Sequence, residues 1–181
     1  DTLVCFCSDN GPEGKETAPG SANALRGRKR SLYEGGIRVP GLAVWPGRIP
    51  AGSRTKMPAS TLDYLPTILA AVKNPYPDDR PVDGISLLSV FANPQARRNK
   101  GLGFQSAGQV AWIGDRYKIY GTNRGKGAAS KPLMDYELYD LLQDPTESKN
   151  LATAKPQLLG ERILLLRRWQ ASCKVSLQTS P

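Results

Sequence analysis

The sequence has 181 residues, 39% of them apolar, and its 25 lysines and arginines against 16 acidic residues give a net charge of +9. That apolar content excludes a disordered basic tail, and the length suffices for one domain with a real core or for two small domains. Histidine is absent, which excludes Ser-His-Asp and Cys-His catalytic sites and histidine-bound zinc within this sequence. No uncharged apolar stretch reaches the roughly 18 residues that a membrane span needs, so we expect no such span.

The first seven residues predict a buried strand. Cys5 and Cys7 lie two positions apart on it, so they are expected to face the same side as buried core thiols. The third cysteine, Cys173, leaves too few for a disulfide framework or a zinc cluster. The sequence has no initiator Met, and we expect it to begin inside a fold, as a processed, truncated or engineered chain would.

A long polar stretch follows that strand. Residues 13–31 are glycine-rich, basic and without periodicity, and they are too many for an idle connection, so they predict either a functional loop or disorder. Residues 37–45 then predict a second strand, interrupted at Pro40.

Helical spacing of apolar residues appears next, over residues 60–73. This segment predicts a helix that starts near Asp63 or is kinked by Pro66, with Ser60 as a candidate start signal. Residues 86–91 predict a short apolar turn of helix.

A different pattern begins beyond the polar residues 97–100, which we interpret as a hinge. Short antiparallel strands are predicted over 109–113, 117–120 and 136–141, with a hairpin turn at residues 114–115. A final helix is predicted from about Pro156 to Ser172, and its apolar side is expected to cover that sheet.

The change of pattern predicts two domains with a boundary near residue 98. Residues 1–98 are expected to form an incomplete α/β domain, and residues 99–181 a smaller α+β subdomain.

Asp9 and Asn10 stand side by side where the first strand is expected to end. Their oxygens suit Ca²⁺ or Mg²⁺, which prefer carboxylate and carbonyl ligands. However, Asp-Asn-Gly is also an ordinary turn sequence, and taken alone the turn is the favoured interpretation. Calcium takes roughly six to eight oxygens, so a metal site would need further ligands.

The densest positive charge lies over residues 26–30, Arg-Gly-Arg-Lys-Arg. Three interpretations compete: a solvated loop, a nucleic-acid patch, and an anion site in which Lys29 meets a phosphate or sulfate ester. The segment lacks interleaved aromatic residues and any known binding motif, so we expect no nucleic-acid partner.

Taken together, these segments resemble, in order and spacing, the C-terminal part of the formylglycine-dependent (type I) sulfatases of the alkaline-phosphatase-like superfamily. The matching segments are 8–11 (SDNG), 25–29 (LRGRK), 33–40 (YEGGIRVP), 62–67 (LDYLPT), 83–87 (DGISL), 136–141 (YELYDL), 144–145 (DP) and 150–152 (NLA). The resemblance therefore covers nearly the whole chain.

The resemblance implies roles for five residues. In that family the Asp and Asn of the strand end bind the active-site calcium, which implies this role for Asp9 and Asn10. The lysine that precedes the Y-E-G-G turn contacts the sulfate near its bridging oxygen, which implies a catalytic role for Lys29. Glu34 and Arg38 belong to the same motif, and we expect them to brace the loop that positions Lys29.

The other half of the family's catalytic machinery is expected to lie outside this sequence. The family's nucleophile is a formylglycine made from the cysteine of a C-x-P-S-R or similar motif, and neither Cys5 nor Cys173 stands in such a motif. We therefore expect no nucleophile in this chain, a missing N-terminal region of the same parent chain, and no turnover by the chain alone.

The resemblance implies an α/β fold class, the C-terminal part of a sulfatase-type α/β domain followed by a small antiparallel sheet packed against a C-terminal helix. It implies hydrolysis of aryl, steroid or carbohydrate sulfate esters by the parent, and export to a periplasmic, extracellular or lysosomal compartment. An alternative of another class is a non-catalytic basic module that binds sulfated or phosphorylated polyanions through Arg26, Arg28, Lys29 and Arg30. A third is a fragment with an exposed sheet edge and marginal solubility.

Overall fold

The structure, a computed structural model, describes residues 2–15, 17–76, 81–123 and 134–179. Its strands are β1 (Val4–Cys7), β2 (Gly41–Val44), β3 (Leu102–Ser106), β4 (Gln109–Ile113), β5 (Tyr117–Asn123) and β6 (Met134–Asp140). Its helices are α1 (Glu34–Ile37), α2 (Tyr64–Ala71), α3 (Leu88–Ala92) and α4 (Pro156–Thr179), with a 3₁₀ turn over Thr61–Asp63.

The chain divides into two units, each discontinuous in sequence. The first unit contains residues 1–7 and 41–102, and the second contains residues 8–40 and 103–181. The predicted domain boundary at residue 98 lies near the last of the three crossings between the units, at residues 102–103, but residues 8–40 group with the C-terminal sheet. As a boundary between domains it stays a prediction.

In the first unit, β1 and β2 form a two-stranded antiparallel sheet in which Val4 faces Val44 and Phe6 faces Leu42. The prediction of a buried strand over residues 1–7 is wrong for β1, because Phe6 is 62% exposed and Val4 54%. The prediction of buried thiols is wrong as well, since Cys5 is exposed and Cys7 only half-buried. An apolar strand is buried only where a second layer covers it. Asp1 lies outside the described residues.

The helix predicted near Asp63 is confirmed, and its start is a capping box. Ser60 accepts a hydrogen bond from the Leu62 amide at 3.3 Å, while the Ser60 amide donates to Asp63 Oδ2 at 2.8 Å. The 3₁₀ turn continues directly into α2, so Pro66 lies early in the helix, where its missing N–H costs little. Arg98, within the predicted hinge over residues 97–100, is buried against Asp63, and the hinge itself stays a prediction.

In the second unit, the four strands are antiparallel in the order β3-β4-β5-β6. The predicted hairpin is confirmed, with the Gly114 amide donating to the Tyr117 carbonyl at 2.9 Å. Helix α4 covers one face of this sheet, as predicted, around the fully buried Leu166. The sequence did not predict β3, and α4 runs beyond Ser172 to Thr179. These elements confirm the predicted fold class.

Residues 32–37 pack on the other face of this sheet. Leu32 lies in a buried cluster with Ala111, Tyr120 and Tyr139, and the Tyr33 ring stacks on Tyr120 with centroids 3.8 Å apart. Residues 37–40 were predicted as strand, but Ile37 ends α1 and β2 begins only at Gly41. The segment that carries the candidate site residues is thus held against the sheet. Among the described residues, no helix is both long and apolar enough to cross a membrane.

Candidate functional site

Asp9 and Asn10 lie in a tight turn just after β1. The Ser8 hydroxyl donates to Asn10 O at 3.1 Å and lies 3.4 Å from Asp9 Oδ1. Asp9 is exposed and Asn10 half-buried. The next amide, that of Gly11, donates to the Gly36 carbonyl at 2.9 Å. This bond ties the Asp-Asn pair to the backbone of α1.

The backbone of α1 is enclosed by two loops at distances that only glycine permits. A Cβ on Gly11 would overlap the Gly35 carbonyl oxygen, and a Cβ on Gly35 would overlap the Gly27 carbonyl oxygen. A Cβ on Gly36 would overlap the Ser31 carbonyl oxygen. The sequence suggested a turn here, and the close approach of these loops explains how two glycines are accommodated in a four-residue helix.

Lys29 belongs to the same framework. Its amide donates to the Pro12 carbonyl at 2.9 Å, so the Lys29 loop is bonded to the segment that follows Asn10. Its Nζ lies 3.7 Å from Glu13 Oε2, and both side chains are more than a third exposed. The structure therefore joins the loops of Asp9, Asn10 and Lys29 through backbone contacts.

An open cavity of about 460 Å³ adjoins Lys29. Its charged lining residues are Arg28, Lys29 and Arg30. Glu13 lies beside two of these cations, with Oε1 3.0 Å from Arg30 Nη1. The Gly14 amide, together with the charge of Arg30, lowers the pKa of Glu13. With three cations to one carboxylate, the cavity favours anions.

The four basic residues of the polyanion hypothesis have different environments. Arg26 donates to the Tyr139 hydroxyl at 2.7 Å, and its guanidinium lies 3.9 Å from the centre of the Tyr33 ring. Arg28 donates to two backbone carbonyls, at 2.6 and 3.0 Å. Arg30, 75% exposed at its side chain, and Lys29 are thus the better placed to meet a ligand.

Glu34 is buried and lies in an ion cluster that the sequence did not reveal. Lys118 Nζ is 2.9 Å from Glu34 Oε1 and 2.8 Å from Glu147 Oε1. Arg38 Nη1, more exposed, lies 3.7 Å from Glu34 Oε2. Burial raises the pKa of Glu147, and the Lys118 charge opposes that rise. A lysine within the apolar strand β5 was the one available signal of this cluster.

The donor atoms of Asp9 and Asn10 fit calcium in kind but not in number. A carboxylate and an amide carbonyl are hard oxygen ligands, and two such residues fall short of the roughly six to eight oxygens that Ca²⁺ takes. Within the described parts of the chain, no group of three or more Cys, Asp or Glu side chains is placed to hold a metal ion.

Known proteins match this chain along most of its length. The family model named Sulfatase matches residues 1–74. Human arylsulfatase A is 34% identical over 183 aligned positions, which cover 88% of this chain. Human steryl-sulfatase is 37% identical over 103 positions, which cover 54% of this chain. The chain belongs to the sulfatase family.

A solved sulfatase structure has the same fold. The crystal structure of PsFucS1 sulfatase from Pseudoalteromonas sp. matches 95% of this sulfatase-family chain with a TM-score of 0.74 and 26% identity. The matched part is 37% of that protein. The chain likewise spans 36% of the length of human arylsulfatase A and 18% of human steryl-sulfatase.

Proposed function

We propose that this chain supplies part of the active site of a sulfatase that hydrolyses sulfate esters, the rest of the site lying in polypeptide outside this sequence. One observation carries the proposal. The loops of Asp9, Asn10 and Lys29 are bonded to each other and to the backbone of α1, in a chain 34% identical to arylsulfatase A.

Lys29 would stabilise the charge of the reacting ester. Cleavage of a sulfate ester builds negative charge on the leaving oxygen, and an ammonium group placed beside it lowers the barrier. The contact between Lys29 and Glu13, at 3.7 Å with both groups exposed, is weak enough for an anionic ester to displace it.

Asp9 and Asn10 would provide two of the oxygen ligands of Ca²⁺. The metal, when bound, would add electrostatic stabilisation of the sulfate oxygens. The remaining ligands and a formylglycine nucleophile would come from the N-terminal region of the parent, since no cysteine of this sequence stands in a C-x-P-S-R motif. We therefore expect the isolated chain to be inactive and to bind Ca²⁺ weakly.

The substrate class that we propose is the sulfate ester, whether aryl, steroid or carbohydrate. We propose export to a periplasmic, extracellular or lysosomal compartment for the parent, by analogy with its relatives.

The experiment begins with the longest natural polypeptide that carries this sequence, identified by immunoblot and intact mass. Its hydrolysis of 4-nitrophenyl sulfate is compared with that of Lys29→Ala and of Lys155→Ala, an exposed control. Loss of one transition-state contact costs about 10²–10³-fold in kcat, so we expect that loss for Lys29→Ala alone. Full activity of Lys29→Ala, or robust turnover by the isolated 181-residue chain, would contradict the proposal.

A second candidate function is polyanion binding without catalysis, favoured by the three cations that line one cavity. It predicts salt-sensitive retention on a sulfated-polysaccharide column, weakened by Arg30→Gln. Under the sulfatase proposal, hydrolysis of 4-nitrophenyl sulfate falls with Lys29→Ala. Retention that depends on Arg30, in a natural polypeptide that hydrolyses no sulfate ester, would favour the second candidate.

A further inference from the structure

We infer that Lys118 and Glu147 are positioning residues of the proposed sulfate-ester site, because they fix α1 and α1 in turn fixes the loops of Asp9, Asn10 and Lys29. The catalytic meaning of this inference rests on the proposed function, whereas the mechanical link between these residues does not.

The first step is the burial of the charges. The side chains of Lys118 and Glu147 are 0% exposed and that of Glu34 is 5% exposed, and Lys118 Nζ lies within 2.9 Å of both carboxylates. With Arg38 on the outer oxygen of Glu34, the cluster holds two positive and two negative charges. Buried charges this close are tolerated only when each has its partner, so the cluster fixes the position of Glu34.

The Glu147 carboxylate also binds the backbone of α1. Its Oε2 accepts a hydrogen bond from the Glu34 amide at 2.7 Å, while its Oε1 meets Lys118. Glu147 itself has a left-handed backbone, with φ 55°, in a turn where Asp144 accepts hydrogen bonds from Thr146, Ser148 and the Lys149 amide. The Glu147 carboxylate therefore holds the start of α1 in two ways, directly at the Glu34 amide and through Lys118 at the Glu34 side chain.

Backbone hydrogen bonds connect α1 to the two loops of the candidate site. Gly36 O accepts the hydrogen bond of the Gly11 amide, and the Gly35 amide donates to Arg26 O at 2.7 Å. Gly11 directly follows Asn10, and Arg26 opens the loop that reaches Lys29. Any shift of α1 is therefore passed to both loops through their backbones.

The charged residue types of the ion cluster support a positioning role rather than a purely stabilising one. Apolar side chains of similar volume often stabilise a core as well as a buried ion cluster does, because they avoid the desolvation of charges. What the ion cluster adds is a defined position for each partner, which an active site requires to within a fraction of an ångström.

The mechanical link is tested on this chain by amide hydrogen exchange. In Lys118→Met and in the milder Glu147→Gln, we expect exchange of the Gly11, Lys29 and Gly35 amides to accelerate at least about tenfold, because local opening becomes easier. The amides of α4 in the same molecule should keep their rates, as should all amides in the exposed control Lys155→Met. Lys118→Arg keeps the charge and should restore much of the protection.

Two outcomes would overturn the inference. One is unchanged exchange at Gly11 and Lys29 in folded Glu147→Gln, which remains informative even if Lys118→Met fails to fold. The other is uniform acceleration that includes α4, which would mean general destabilisation.

The catalytic consequence is measured in the natural polypeptide. If Glu147→Gln displaces groups that act in the transition state, kcat for 4-nitrophenyl sulfate should fall at least about tenfold while KM changes less. Lys118→Arg should recover part of kcat. Faster loop exchange with unchanged kcat would overturn the positioning role. A wild-type polypeptide without sulfatase activity would instead refute the proposed function and leave the link between Glu147 and the loops intact.

Discussion

The guanidinium of Arg98 meets the carboxylate of Asp63 through two hydrogen bonds, Nη1 to Oδ2 at 2.7 Å and Nη2 to Oδ1 at 3.0 Å, with both side chains fully buried. Asp63 also accepts hydrogen bonds from the amides of Ser60 and Ile85, each at 2.8 Å. One carboxylate therefore joins three separate segments of the first unit.

Removing one partner of this pair should destabilise the first unit strongly. In Arg98→Met the Asp63 charge stays buried without its main partner, which costs about 3–5 kcal/mol of the free energy of unfolding. Urea unfolding followed by circular dichroism measures the loss. Arg54→Met, at an exposed position of the same unit, should change it by about 0.5 kcal/mol or less. Equal losses in the two variants would contradict this account.

Gly11→Ala should disturb the turn that carries Asp9 and Asn10. The new Cβ would overlap the Gly35 carbonyl oxygen, and overpacking of this kind costs about 1–3 kcal/mol. The matched control is Gly41→Ala, because a Cβ there meets nothing within 4 Å. Thermal unfolding of both variants tests this prediction, and a lower melting temperature in Gly41→Ala than in Gly11→Ala would contradict it.

Leu166→Ala should loosen the packing of α4 on the sheet. Leu166 is 0% exposed in the core of the second unit, and truncation of such a leucine costs about 2–5 kcal/mol. Leu164 lies on the same helix but is 56% exposed, so Leu164→Ala should cost far less. Urea midpoints of the two variants provide the comparison, and similar midpoints would show that α4 is not docked as described.

Asp144→Asn should make stability less dependent on acid pH. Burial tends to raise the pKa of Asp144, but hydrogen bonds from the Lys149 amide, Thr146 and Ser148 outweigh it and lower that pKa to about 2. A carboxyl group with a lowered pKa in the folded state stabilises the protein above its unfolded pKa, about 3.9. That stabilisation is lost as the pH falls towards 2.

The measurement is the difference in unfolding free energy between wild type and Asp144→Asn. Allowing for solvent screening, we expect about 1–2 kcal/mol in favour of wild type at pH 6. The difference should shrink steadily between pH 4 and pH 2. A difference independent of pH would mean that the amide, and not the charge, accounts for it.

The sequence predicted those elements whose pattern is local. Alternating apolar residues indicated β4, β5 and β6, and helical spacing indicated α2 and α4. In α4 that spacing corresponds to a face packed on the sheet, whereas Leu65 and Ile68 of α2 are each 50% exposed. The sequence did not predict helix α1, whose two glycines are poor helix formers. Its conformation depends on the loops around it, which no local pattern records.

The residues of the candidate site also differ in whether the sequence could indicate them. Asp9, Asn10 and Lys29 could be proposed because they stand in motifs that resemble a known family. The ion cluster of Glu34 could not, because Lys118 is 84 positions away in the sequence and Glu147 is 113. The predicted burial of β1 failed for a related reason. An apolar sequence predicts that a strand has an apolar face, but it does not reveal whether another element covers that face.

The exposed apolar surface of the first unit has a consequence for how this protein behaves in solution. The large apolar side chains exposed in this unit include those of Val4, Phe6, Leu42, Val44, Leu62, Leu65, Ile68 and Val72. At low ionic strength the net charge of +9 keeps copies of the chain apart by repulsion. In about 0.1 M salt that repulsion is screened beyond roughly 10 Å, which leaves less to oppose apolar contact between copies. We therefore expect the isolated chain to self-associate more readily as the salt concentration rises.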